Sequence, residues 1–150
     1  MKNLKTNIFY LFFPIVMGSI VGIAVNNFMD YKELIQPPLA PPNWLFPIVW
    51  SIIYLLMGLS YFLYRKVNND EKTKTIYYVQ LFVNLLWSII FFVWNLKLFA
   101  IFWIILLDIL VIWMIIRFLK ENKASAYLNI IYLIWIIFAT YLTIGIYLLN

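Results

Sequence analysis

Apolar runs of about 20 residues recur along this 150-residue chain, and no other feature restricts its fold as strongly. They begin near Ile8, Trp44, Thr75, Leu98 and Ala126. Inside a bilayer every backbone N–H and C=O must find an internal partner, which leaves helices or closed barrels. Barrel strands alternate apolar and polar residues, whereas these runs are solid Ile, Leu, Phe and Val, so they read as helices. Charged residues make up 11% of the chain, against about 25% in a soluble domain, too few to cover a globular surface. The expectation is an all-α integral membrane protein: a single domain forming a compact bundle of five transmembrane helices. The spans fall at about 8–27, 44–64, 75–94, 98–119 and 126–149. The first run is longer than the apolar region of a secretory signal and no A-x-A site closes it, so it counts as a span.

The segments between the spans are short. A loop over about 28–43 joins the first two, the polar stretch Arg65–Lys74 (RKVNNDEKTK) the next, then a turn at Asn95-Leu96-Lys97 and a second polar link over Lys120–Ser125. Lys2, Lys5, Arg65, Lys66, Lys72, Lys74, Arg117, Lys120 and Lys123 lie on one side, and Lys32 and Lys97 on the other. By the positive-inside rule the N-terminus faces the cytoplasm, and the loop and C-terminus face outward. The net charge of +5 therefore reads as a topology signal, with the lipid bilayer as partner and no call for nucleic acid. There is no Cys and no His, which excludes disulfides, thiol redox chemistry, common zinc sites and His or Cys haem ligation. No metal site and no cofactor are expected.

Helical spacing sorts the interior. Gln80, Asn84, Ser88 and Phe91 share a face of the third span, with Trp87 beside it. Trp50, Tyr54, Met57 and Tyr61 share one on the second, and Tyr132, Trp135, Ala139 and Leu142 one on the fifth. Amides facing lipid are unfavourable, so Gln80 and Asn84 turn inward. Such faces suit an aromatic-walled ligand cavity, and they equally suit plain aromatic packing with Asn84 hydrogen-bonded to a neighbouring helix; the residues alone leave both open. Asp108 is the one acid inside a span; an indole, amide or tyrosine partner, or a proton, would offset its burial. Gly18 and Gly22 form a G-x-x-x-G spacing read as packing within the bundle. Trp44, Trp94 and Tyr147 sit near span ends, as interfacial anchors do. Five of the six prolines lie within QPPLAPPNWLFPIVW (Gln36–Trp50), a stiff extended lid in which Pro47 opens the second helix. No nucleophile–base pair and no glycine-rich phosphate loop is visible, so the reading leans away from an enzyme.

The order P-P-x-W, W-x-x-x-Y, G in PPLAPPNWLFPIVWSIIYLLMG resembles the translocator protein family, also called the tryptophan-rich sensory proteins (TspO/MBR). QLFVNLLWSIIFF (Gln80–Phe92) is similar to that family's third helix and YLIWIIFATY (Tyr132–Tyr141) to its last, so the resemblance covers almost the whole chain. It implies a bacterial member in the cytoplasmic membrane, a five-helix bundle, and a homodimer as one oligomeric form. It implies binding of porphyrins and related tetrapyrroles, and of isoquinoline- and benzodiazepine-type ligands, by a sensor or regulator. The alternatives it carries are light- and oxygen-dependent porphyrin degradation and transport of porphyrins or other amphiphiles. The matching positions are Tyr31, Pro41, Phe46, Trp50, Tyr54, Asn84, Trp87, Ser88, Phe91, Trp135 and Ala139, with Trp50 and Trp135 implicated if degradation occurs. Asp30 and Leu39 stand where many members carry tryptophan. No basic residue follows Tyr147, which speaks against cholesterol binding through the family's last-helix motif.

Overall fold

The computed structural model describes the backbone of residues 4–28 and 33–150, and side chains from residue 8 onward within those ranges. Its helices are α1 (Leu4–Asn26), α2 (Leu45–Val67), α3 (Glu71–Ser88), α4 (Lys97–Leu119) and α5 (Lys123–Leu149). A π-helical turn, Ile89–Val93, continues α3 without a break. Five helical stretches are long and apolar enough to cross a membrane, so the chain is an integral membrane bundle as its hydropathy requires.

α1 begins at Leu4, four residues before its apolar run, and three boundaries at the polar links also differ from the runs. α3 starts at Glu71 and not near Thr75 because Asp70 caps it, its carboxylate accepting from the Thr73 amide (3.3 Å) and hydroxyl (2.9 Å). α5 starts at Lys123 and not near Ala126 because the Asn122 side chain accepts from the amides of Ala124 (3.0 Å) and Ser125 (3.4 Å). α2 continues to Val67, carrying Arg65 and Lys66 in its last turn, where cations suit the helix dipole. α2, α3 and α5 thus each project about a turn beyond their apolar runs into the polar links.

The helices pack in a ring in which α1 lies on α2, α2 on α5, α5 on α4 and α4 on α3, while α3 meets α1 more lightly. At the end of the bundle carrying the polar links the interior is solid. Tyr61 and Tyr77 stack at 4.2 Å between ring centroids, and Tyr64 stacks on Phe118 at 4.9 Å. At this end Arg117 of α4 donates to the Asp70 carboxylate and, from Nε, to the Thr73 hydroxyl (2.9 Å), tying α4 to the start of α3.

That tie sets a pH dependence. The Arg117 guanidinium, with Thr73 assisting, holds the Asp70 carboxyl below its ordinary range. Its contribution is present above the unfolded-state value of about 4 and is lost as pH falls through the lower folded value. Thermal unfolding in detergent should therefore show an acid-side loss of stability below about pH 4 that is shallower in Asp70→Asn. Identical acid limbs for the two proteins would refute the assignment.

Candidate functional site

The other half of the bundle is hollow. A cavity of about 650 Å³ lies between α1, α2, α3 and α5, inside the range of small-molecule sites. Its aromatic wall is continuous. Trp50 stacks on Tyr54 (5.5 Å between centroids), meets Trp135 edge to face (6.2 Å), and Trp135 in turn meets Phe46 (5.9 Å). Across the cavity Trp87 stacks on Phe91 (5.4 Å).

The floor is a directed chain of hydrogen bonds through three helices. Tyr54 Oη donates to Asn84 Oδ1 (2.6 Å), and Asn84 Nδ2 donates to Tyr132 Oη (2.8 Å). Tyr132 Oη donates to Gln80 Oε1 (2.7 Å), and Gln80 Nε2 points at Met57 Sδ (3.4 Å). Each hydroxyl hydrogen has one acceptor, and the chain locks α2, α3 and α5 at one level. Asn84 is therefore both a cavity residue and the inter-helix link that packing alone would supply. Truncating it would disturb the floor as well as any ligand.

Three wall hydroxyls are satisfied by their own helices: Ser51 donates to the Pro47 carbonyl (2.7 Å), Ser88 to Leu85 (3.0 Å) and Thr143 to Ala139 (2.7 Å). Two donors are not. The indole N–H groups of Trp87 and Trp135 are buried and have no acceptor, a condition that is unfavourable until one arrives. The cavity is thus aromatic and largely apolar, with two buried indole donors lacking acceptors among its lining residues.

Above it lies the loop between α1 and α2. Leu34 packs against the buried cluster of Ile90, Phe91, Ala100 and Ile146. The loop is fastened to α5: Asn150 pairs through its amide with both the N–H and C=O of Ile35 (3.0 Å each), Tyr141 donates to the Pro38 carbonyl, and Pro37 sits against Gly145.

Of the candidate residues, Phe46, Trp50, Tyr54, Asn84, Trp87, Ser88, Phe91, Trp135 and Ala139 all line this one cavity. Pro41 is not among its lining residues, and Tyr31 lies outside the described residues. Of the other members of the inward faces, Leu142 also lines the cavity, whereas Met57, Tyr61, Gln80 and Tyr132 belong to the floor and the packed half. Sequence reasoning missed the contribution of α1 (Ile15, Gly18, Ser19, Gly22) and also Phe92, which follows Phe91 in the π turn. Trp44, expected only as an anchor, is exposed and also lines the cavity rim. Asp108 is not among the cavity-lining residues. It makes an inter-helix hydrogen bond, accepting from the hydroxyl of Thr140 on α5 (2.8 Å) and not from an indole, amide or tyrosine; that hydroxyl also lies 2.8 Å from the Ile136 carbonyl.

The sequence profile of the TspO/MBR family matches residues 10–149. A tryptophan-rich protein TspO of Archaeoglobus fulgidus is 40% identical over 122 residues, covering 80% of this chain and 79% of its own length. A tryptophan-rich protein TspO of Chlorobaculum tepidum is 34% identical over 140 residues, 87% and 89% of the two chains. A tryptophan-rich sensory protein of Cereibacter sphaeroides is 30% identical over 115 residues, 73% and 70%.

Proposed function

The chain belongs to the TspO/MBR family, and from that premise we propose that it is a membrane-embedded tetrapyrrole-binding protein acting as a sensor or regulator. The observation that carries this reading is the cavity itself, aromatic on several sides and lined by Trp87 and Trp135, whose buried indole N–H groups lack an acceptor. A porphyrin supplies what is missing: a flat π surface for stacking and a carboxylate edge of acceptors. Isoquinoline- and benzodiazepine-type molecules, flat and carrying carbonyl acceptors, fit the same description and should compete. The regulatory part of the proposal leans on the Cereibacter sphaeroides relative, which is named a sensory protein. The distribution of Lys and Arg supports an orientation with the loop end outside.

Titration with protoporphyrin IX should quench tryptophan fluorescence to saturation. Trp87→Phe and Trp135→Phe keep a ring and remove the donor. Each should weaken binding at least tenfold, the worth of one hydrogen bond to a charged carboxylate, about 1.5–3 kcal/mol. Absence of saturable quenching in the parent protein would sink the reading.

A second reading has its own support in the edge-to-face contact of Trp50 with Trp135 on the cavity wall. Two indoles against one bound chromophore favour light- and oxygen-dependent degradation of the porphyrin. An unchanged porphyrin spectrum after illumination of the bound complex in air would exclude it.

A further inference from the structure

The cavity lining is exposed on one side only. Its α3 and α5 residues are all buried or half-buried, down to 1% for Phe91. Every exposed lining residue belongs to α1, α2 or the segments flanking them: Ser19, Gly22, Ile23, Trp44, Pro47 and Ser51 are examples, with Ile23 at 73%. The two helices are in tight contact lower down, where Gly58 meets the Leu11 backbone and Gly18 meets the Tyr54 ring. One turn further along α1, a Cβ at Gly22 would meet nothing within 4 Å. The helices therefore part above the Gly18–Tyr54 crossing.

Depth decides what this gap faces. Ser19 is seven residues before the end of α1, and Ser51 is six residues into α2. At 1.5 Å per residue the gap reaches about 10 Å below the helix ends. That exceeds the depth of one headgroup layer, roughly 5–8 Å, so its lower part opens onto acyl chains. The top, in contrast, is crossed by a loop pinned to α5 at Ile35, Pro37 and Pro38.

We propose that the cavity is loaded and emptied sideways, through the gap between the upper halves of α1 and α2, so that its ligand comes from the bilayer and not from water. The gap selects a bilayer-dissolved flat amphiphile. The walls it must pass are mostly apolar; of the two serines there, Ser51 has its hydroxyl already satisfied by the Pro47 carbonyl and Ser19 stands exposed on α1, so an apolar edge meets few polar groups. The exposed amides of Asn26 and Asn27 stand at the rim, at headgroup height, for a polar edge to follow last. The proposal rests on the tetrapyrrole reading for its probe and not for its geometry.

The chain has no cysteine, which makes the test clean. Gly22→Cys, reconstituted in lipid nanodiscs, is modified with a bulky thiol label that a reductant removes. Protoporphyrin IX association and dissociation rates should both fall at least tenfold on labelling and recover on reduction. A label that merely damaged the site would raise the dissociation rate. Asn150→Ala, which removes the Ile35 fastening of the loop to α5, should leave both rates within about twofold. Unchanged rates on labelling, or a large acceleration in Asn150→Ala alone, would place entry under the loop and overturn the proposal. A ligand-free arm separates this outcome from failure of the tetrapyrrole reading. In nanodiscs of lipids brominated along the acyl chain, chains that reach the gap quench the cavity tryptophans, and labelling Gly22→Cys should relieve that quenching. Quenching indifferent to the label would reject the sideways opening even if no porphyrin binds.

Discussion

Ala139→Phe is expected to abolish ligand binding while leaving the protein folded, and to raise its melting temperature. Ala139 lies on the cavity wall one turn beyond Trp135, and it is 5% exposed. Its methyl borders empty space, so a phenyl ring has room to enter where a packed core would resist it. Filling an apolar void adds dispersion contacts and removes unsatisfied surface, worth about 0.5–2 kcal/mol of stability. The same ring occupies the volume that a planar ligand needs between Trp135 and the α3 wall. A loss of at least 100-fold in affinity, about 2.8 kcal/mol, is the expected result of a protoporphyrin titration. Opposite signs on stability and binding separate this outcome from general damage, which would lower both. Retention of tight binding in Ala139→Phe would mean that the ligand sits elsewhere.

The helix count was legible because a bilayer makes hydropathy decisive, and each solid apolar run became a helix. The helix starts were not, because Asp70 and Asn122 act as caps inside stretches that hydropathy scores only as polar. Periodicity assigned Trp50, Tyr54, Asn84, Phe91, Trp135 and Ala139 to inward faces, and these do line one cavity. It carries no information about depth along the bundle. Met57, Tyr61, Gln80 and Tyr132 share those faces yet form the floor and the packed half beneath it. The α1 wall was invisible for a different reason. That helix is apolar all round, so no polar stripe marks its inner side. The signal that was there, Gly18-Ser19 followed by Gly22, read as a packing seam although only Gly18 is packed. The π turn at Ile89–Val93 leaves no trace in composition, since Ile, Phe and Val suit an ordinary membrane helix equally well.

Gly58→Ala should damage the fold more than any other single methyl added at a glycine of this chain. A Cβ there would collide with the Leu11 carbonyl oxygen and lie 3.3 Å from that of Tyr10. Backbone, not a mobile side chain, is the obstacle, so α1 must move away from α2 along their shared length. Overpacking ordinarily costs about 1–3 kcal/mol, and a backbone obstacle puts this site at the upper end. For a chain of this length that corresponds to a fall of roughly 10 °C in melting temperature. Gly58→Leu should not yield a monodisperse protein in detergent. Two comparisons fix the cause. Gly22→Ala adds its methyl to open space and should shift melting by less than about 1 °C. Gly18→Ala meets the Tyr54 ring, which is held in place by its bond to Asn84. Truncating Tyr54 should therefore rescue part of the Gly18→Ala defect in a double-mutant cycle, a coupling of about 1 kcal/mol or more. Leu11→Ala should rescue none of the Gly58→Ala defect, because the carbonyl remains. Rescue at Gly58 by a side-chain truncation would show that the crossing is set by side chains, and that α1 and α2 can separate without disturbing the backbone contact assigned to them here.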